Sequence, residues 1–322
     1  MEYLNQTTPR RFILLGFSNV LHLQVIIFIT FLTMYLMTIS GNLLLIIIVR
    51  INPRLHSPMY FFLTSLSLTD IIFSSSIDPV ILMNIFSKDR SISSLGCAVQ
   101  MYISLAMGVT ECVLLAFMAY DRYAAICRPL HYNTIMSKAL CIYLVAGAWT
   151  VGFVNSFVQV FLAFQLQFCN CPNVNHYFCE VPAFIRMACR DTFVIELSIY
   201  ITGGIFAVSS FCLILISYVH IISNILKIIS SEGRSFSPPP LQKSFSTCVS
   251  HLTVVIIYYG TIMFMYLRPQ SKKYSHRSSK SDNIVPIFYA TVTPMLNPFI
   301  YSIRNKDVKN TFINQFKRKQ FH

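Results

Sequence analysis

The stretch Met118-Ala119-Tyr120-Asp121-Arg122-Tyr123-Ala124-Ala125-Ile126-Cys127 decides how the chain is read. It closes a long apolar run in which Glu111 is the only charge between Ser91 and Val113, and it opens onto a short basic loop. An acid and an arginine at the inner end of a membrane helix are costly unless their charges reach the interface or a partner. Asp121 can hold Arg122 locally, and a change elsewhere can release it. The triplet Asp121-Arg122-Tyr123 therefore reads as a switch at a membrane surface.

Composition points the same way. Of 322 residues, 55% are hydrophobic and 11% charged, and the mean hydropathy is +0.59. Soluble domains carry about 25% charged residues. Such a chain cannot hide its apolar surface in one soluble core and needs lipid. The net charge of +13 lies in short pieces between apolar runs, not on the contiguous basic face that nucleic acid requires.

Seven stretches reach the roughly 20 residues that span a bilayer: 23–49, 57–83, 95–123, 140–163, 193–226, 242–266 and 281–303. They predict an all-α bundle of seven transmembrane helices. A tail (1–22) precedes the seven-span domain (23–303), and a short amphipathic helix with a tail (304–322) follows it. The runs are continuous, which excludes the alternating strands of a membrane β-barrel. No internal repeat is visible, which argues against an inverted-repeat transporter. No Ser-His-Asp set, His-Glu-x-x-His or phosphate loop is legible, so no enzyme is expected.

Lys and Arg set the orientation. Arg304, Lys306, Lys309, Lys317, Arg318 and Lys319 favour an inner C-terminus and an outer N-terminus. The bias is small, because Arg268, Lys272, Lys273, Arg277 and Lys280 then lie outside. Asn5-Gln6-Thr7 is the only N-x-Ser/Thr site and falls on the outer tail, which predicts glycosylation at Asn5. Arg10 and Arg11 mimic a signal-peptide start, but the run from Phe12 to Val49 is too long for one, so the first span is expected to stay uncleaved.

Polar residues inside the spans carry the functional signal. Asn42, beside Gly41, is either a packed and capped amide or a functional group. Asp70 lies deep in the second span, where an ionisable group marks function. Asp78 lies nearer the outer end, where solvent can reach it. In the third span Met101, Ser104, Leu105, Gly108, Glu111, Cys112 and Leu115 share one helical face. Glu111 is about 16 Å above Arg122, too deep to snorkel. Asp70 and Glu111 thus put two acids in the inner half of the bundle. Either one is protonated or a cation sits between them. Trp149, the only tryptophan, is mid-span and is expected to pack against the third span. Pro298 frees a backbone carbonyl that Asn297 can satisfy. His251 is a lone histidine on a polar stripe, with a hydrogen-bonded role favoured over a metal.

There are ten cysteines. Cys112, Cys127, Cys141, Cys212 and Cys248 fall in or at the inner ends of spans, where buried thiols are ordinary. Cys97, Cys169, Cys171, Cys179 and Cys189 lie outside, where disulfides persist. Five is odd, and spacing alone does not fix the pairing. Zinc is disfavoured, because Cys169-x-Cys171 lacks a matching second pair. Between the fifth and sixth spans, Pro238-Pro239-Pro240 cannot lie in a helix interior, so the sixth helix is expected to start at or after them.

Five strings carry a family resemblance: Met118–Cys127; Leu55-His56-Ser57-Pro58-Met59-Tyr60-Phe61-Phe62-Leu63; His176-Tyr177-Phe178-Cys179-Glu180-Val181-Pro182 with Ala188-Cys189-Arg190-Asp191-Thr192; Lys243-Ser244-Phe245-Ser246-Thr247-Cys248-Val249-Ser250-His251; and Pro294-Met295-Leu296-Asn297-Pro298-Phe299-Ile300-Tyr301. From about Phe12 to Lys309 the chain resembles the olfactory (odorant) receptors, a branch of the rhodopsin-like G-protein-coupled receptors. The resemblance implies disulfides Cys97–Cys179 and Cys169–Cys189, with Cys171 a departure from the pattern. It implies that Asp70 and Glu111 face each other with Asn42 and Asn297, around a bound sodium ion or as a protonated, hydrogen-bonded pair. It places Tyr259 at the floor of the ligand pocket. The residues alone read Asn297-Pro298 as a static kink; the receptor resemblance reads it as a hinge, with Tyr301 changing partners. Family members run from Gly233-Arg234 almost directly into the lysine; the proline run here is an insertion.

The mechanism implied is a population shift. An odorant arriving from the outer side favours a state in which Arg122 leaves Asp121 and the inner ends of the fifth and sixth spans open, with Tyr123, Tyr218 and His251 among the switch residues. A stimulatory olfactory-type G protein then binds at the plasma membrane and cyclic AMP rises. The expected pocket combines the stripe Met101, Ser104, Leu105 and Gly108 with Thr202 and Phe206 of the fifth span and Tyr259, Ile262, Met263 and Tyr266 of the sixth. These faces carry no fixed positive charge, so a neutral or weakly polar volatile ligand is expected, unless the stripe is simply core. The competing reading is a rhodopsin-like receptor for a non-odorant small molecule. Amine receptors of that kind carry an acid near the position that Ser104 occupies here.

Overall fold

The computed structural model describes residues 11–14, 20–87, 89–166, 168, 173–174, 176–188, 193–232, 239–267 and 288–304. Seven helices make the bundle: α1 (Leu21–Ile51), α2 (Pro58–Ile85), α3 (Ser94–Cys127), α4 (Lys138–Phe164), α5 (Phe193–Glu232), α6 (Pro239–Leu267) and α7 (Thr293–Arg304). One π-helical turn, Phe288–Val292, leads into α7. By length and composition α1 to α5 can each cross a membrane, and Thr247–Met263 within α6 is a shorter apolar stretch. Val154, Phe157 and Phe161 on α4, and Val208 and Val219 on α5, point outward. In lipid such faces are at no disadvantage.

Hydroxyls inside the spans satisfy themselves. Thr30, Thr33, Thr38, Thr64 and Thr69 each donate to the carbonyl one turn back, at 2.7–3.0 Å. With no water in the hydrocarbon, that bond is the ready partner for a short side chain. Helix starts are also chemically marked. Ser93 Oγ accepts from Gly96 N at the start of α3, and Ser137 Oγ from Leu140 N at the start of α4. Pro58 opens α2, and Pro239 and Pro240 open α6. The sixth helix thus begins inside the proline run, since a first-turn proline forfeits no helical bond. The third helix runs on to Cys127, so Asp121, Arg122 and Tyr123 sit in its last turns and not at a loop edge.

The outer face departs most from expectation. The predicted N-terminal tail contains a strand, β1 (Arg11–Leu14). It lies between β2 (Ser91–Ser93) and β3 (Asn173–Val174), antiparallel to the first and parallel to the second. Phe12 and Leu14 are fully buried, and the Phe12 ring stands 4.9 Å from Phe184 and 5.9 Å from Phe168. Phe184 belongs to a short outer helix, Val181–Met187. The Cys97–Cys179 disulfide forms as the resemblance implied, with a Cα–Cα distance of 5.6 Å. Beside it Gln100 accepts from Cys179 N at 3.0 Å and donates to Ser76 O at 3.2 Å. One buried amide therefore ties α2, α3 and the outer loop. Cys169, Cys171, Cys189, Asn5 and the amphipathic segment after Arg304 lie outside the described residues.

One polar side chain differs from its expected setting. Asp78 is fully buried, not solvated, because Thr291 of the π-helical turn covers it and donates to Oδ1 at 3.1 Å. Trp149 gains a polar partner the sequence did not indicate: its Nε1 donates to Ser65 Oγ of α2 at 3.1 Å.

The tightest crossing is α3 against α4. A Cβ on Gly152 would lie 2.3 Å from Thr110 Oγ1 and 2.5 Å from Ala106 O, whereas one on Gly147 meets nothing within 4 Å. Gly152→Ala should therefore lower thermal stability in detergent by the ~1–3 kcal/mol typical of overpacking. Gly147→Ala should be neutral or stabilising. Equal melting temperatures for the two variants would contradict this crossing.

Candidate functional site

Three clusters lie along the bundle: an apolar stripe shared by α3, α5 and α6, an acid cluster between α2, α3 and α7, and polar contacts of Arg122 and His251 toward the Cys127 end of α3.

In the stripe, Met101 is buried, and Ser104, Leu105 and Gly108 are partly buried on α3. Ser104 and Thr202 turn their hydroxyls into their own helices, toward Met101 O at 3.2 Å and Ser198 O at 2.8 Å. Phe206 is partly buried on α5, and its carbonyl accepts from Ser210. Tyr259 is buried and donates to Ser210 Oγ at 2.8 Å, which joins α6 to α5. Ile262 packs on the same core, while Met263 is 41% exposed. The Tyr266 side chain lies outside the described residues. The sequence reading left out Tyr289 and gave Tyr258 no role. Tyr258 donates to Gly108 O, and its hydroxyl also meets Cys112 Sγ at 3.2 Å. Tyr289 donates to the Tyr258 hydroxyl at 3.4 Å. A Cβ on Gly108 would stand 3.3 Å from the Tyr289 hydroxyl. These tyrosines close the lower end of the stripe. Adjacent tyrosines facing different neighbours were the available signal.

At the midplane Asn297 Nδ2 lies 3.1 and 3.0 Å from the two oxygens of Asp70 and 3.4 Å from Glu111 Oε1. Asp70, Glu111 and Asn297 are each at most 2% exposed. One amide thus joins α2, α3 and α7. Asn297 was expected to satisfy the carbonyl freed by Pro298, and it does not. A proline leaves free the carbonyl four residues back, here that of Pro294. Asn42 Nδ2 reaches it at 3.2 Å, while also donating to Thr38 O at 3.0 Å. A Cβ on Gly41 would lie 3.0 Å from Pro298 Cγ, so Gly41 admits the proline ring. The Gly41-Asn42 pair is the counterpart of the kink.

At the inner end Arg122 Nε donates to Asp121 Oδ2 at 3.1 Å, and Nη2 reaches the same oxygen. Tyr132, in a one-turn helix (Tyr132–Ile135) after α3, donates to Asp121 Oδ1 at 2.8 Å. Burial and the Asp121 carboxylate push its hydroxyl above the usual phenol range, so it stays a donor. His251 is fully buried. Its Nε2 lies 3.1 Å from Leu115 O and its Nδ1 2.9 Å from the Tyr218 hydroxyl. A carbonyl can only accept, so Nε2 carries a proton, and in the neutral ring Nδ1 accepts from Tyr218. One imidazole therefore ties α6 to α3 and α5. Tyr123 packs 5.8 Å from His220 of α5. Tyr301 is 2% exposed, and its hydroxyl has no hydrogen-bond partner among the described residues.

The sequence profile of the olfactory receptor family matches residues 31–319. The chain belongs to that family. It is 46% identical over 321 residues to olfactory receptor 5G26 of Mus musculus, covering 100% of this chain and 97% of that protein. It is 46% identical over 323 residues to human olfactory receptor 13C9, covering 100% and 99%. It is 45% identical over 309 residues to human olfactory receptor 2G6, covering 96% and 94%. The olfactory receptor is thus a multi-pass plasma-membrane G-protein-coupled receptor for odorants, and not an enzyme.

The inner contacts give a direct expectation. Arg122→Ala should abolish G-protein activation at equal surface level, because it removes the cation that Asp121 holds near the end of α3. His251→Phe should raise ligand-independent activation, because it frees α6 from Leu115 and Tyr218. Full signalling in the first variant, or a quiet second variant that still responds to agonist, would contradict these roles.

Proposed function

We propose that this receptor binds small, largely apolar volatile ligands in the outer half of the bundle and activates a stimulatory olfactory-type G protein, raising cyclic AMP. The N-terminus is extracellular, residues 23–303 form the receptor domain, and residues 304–322 are cytoplasmic. The observation that carries this reading is the imidazole link from His251 to Leu115 and Tyr218, which ties α3, α5 and α6 together below the stripe. The stripe itself is apolar with a few hydroxyls, the usual character of a small-molecule site. Ligand contact with Met101, Ser104, Leu105, Gly108, Thr202, Phe206, Tyr259, Ile262, Met263 and Tyr266 favours a state in which Arg122 leaves Asp121 and α6 swings outward.

The midplane acids set the resting state. Asp70 and Glu111 share the Asn297 amide, and two carboxylates this close hold one positive charge between them, a proton or a sodium ion. Carboxylate oxygens suit a small hard cation. Movement at Asn297-Pro298 and a new partner for Tyr301 transmit the change inward.

Cells expressing the receptor should raise cyclic AMP on exposure to a panel of volatile compounds. Gly108→Ala and Leu105→Phe should reorder the potencies at unchanged surface level. A lower surface level with the rank order intact would make the stripe core and put the ligand elsewhere. Replacing external sodium with choline should change agonist potency if sodium is the bound charge, and Glu111→Gln should remove that sensitivity. Potency that ignores sodium assigns the charge to a proton.

A further inference from the structure

Asp78 is the buried charged group that the account above leaves unused. One oxygen accepts from Thr291. The other, Oδ2, is buried with no hydrogen-bond partner among the described residues. The ion pairs found among those residues are Arg122–Asp121 and His176–Glu180, so none of them neutralises Asp78. A carboxylate enclosed in a bundle without a countercharge is strongly unfavourable; the group holds a proton, or a cationic ligand supplies the charge.

Its height is the height of the ligand stripe. Asp78 is about 12 Å above Asp70 on α2, and Ser104 is about 10 Å above Glu111 on α3, at 1.5 Å per residue. Asn297 holds Asp70 and Glu111 in one cluster, so Asp78 and Ser104 share a level. Thr291 lies on the π-helical turn, a distortion frequent at functional sites. Two residues before it, Tyr289 packs between Phe73 and Tyr258, 5.6 Å from each, and borders Gly108. The turn that carries Thr291 is therefore also a wall of the stripe.

We propose that Asp78 and Thr291 form the polar end of the ligand site and select small volatile amines over neutral volatiles of the same length. The inference rests on ligand binding in the outer half of the bundle. The ammonium donates to Oδ2, Thr291 holds Oδ1, and the alkyl chain lies along Leu105 and Gly108. The ligand expected to be neutral from the helix 3, 5 and 6 faces thus gains a basic head once the α2–α7 side is included.

The test uses the full-length receptor at measured surface level, with hexylamine and hexan-1-ol as probes and cyclic AMP as readout. Hexylamine should be at least about tenfold more potent, the worth of one hydrogen bond to a charged group. Asp78→Asn keeps the shape and the acceptor for Thr291, and should bring the two potencies together. Equal potencies in the native receptor, or an unchanged ratio in the variant, overturn the proposal. If the variant does not reach the surface, the native ratio decides alone. A receptor that answers neutral volatiles without amine preference overturns this inference and leaves the odorant reading standing. Silence to every volatile at normal surface level overturns both.

Discussion

Two carboxylates meet one amide at the middle of the bundle, and the other helices are arranged about that meeting. Asp70 and Glu111 come from α2 and α3, and Asn297 from α7. In water such a cluster would dissolve into hydration. Inside a membrane protein each group must find its partner within the fold. The cluster therefore fixes the height of three helices relative to one another. Ser104 and Asp78 then fall at one level above it. Arg122 falls below it, at the inner surface.

The kink in α7 obeys the same constraint. Pro298 removes a helical bond, and the orphaned Pro294 carbonyl is satisfied from α1 by Asn42. Gly41 lets the ring approach. The proline thus has its complement on a neighbouring helix, and any movement there carries the cost of separating that pair. Below it, His251 holds α6 by two hydrogen bonds to two different helices. A few polar bonds in low dielectric are made or broken whole, which is the kind of contact a ligand-driven population shift needs.

The helices were legible because a membrane span is a continuous apolar run, and the acid cluster because a charge in such a run needs a reason. Other features were hidden for physical reasons. The outer sheet has strands of two to four residues, too short for alternation to register. Asp78 looked solvated because position along the chain does not reveal that Thr291 covers it. Asn297 was assigned the proline's carbonyl because it is adjacent in sequence, whereas Asn42 supplies the bond from far along the chain. Gln100 carried no signal, since a buried amide is recognised only by what surrounds it. The Cys97–Cys179 bridge came from family resemblance and not from spacing, and the structure contains it.

The central claim is that occupancy of the outer half separates inner helix ends that are otherwise held together. The most direct measurement is the distance between spin labels on the cytoplasmic ends of α3 and α6 in purified receptor, with and without an activating volatile. The account predicts a longer distance with ligand, and the same longer distance without ligand in His251→Phe. A distance unchanged by a ligand that activates the G protein would contradict it.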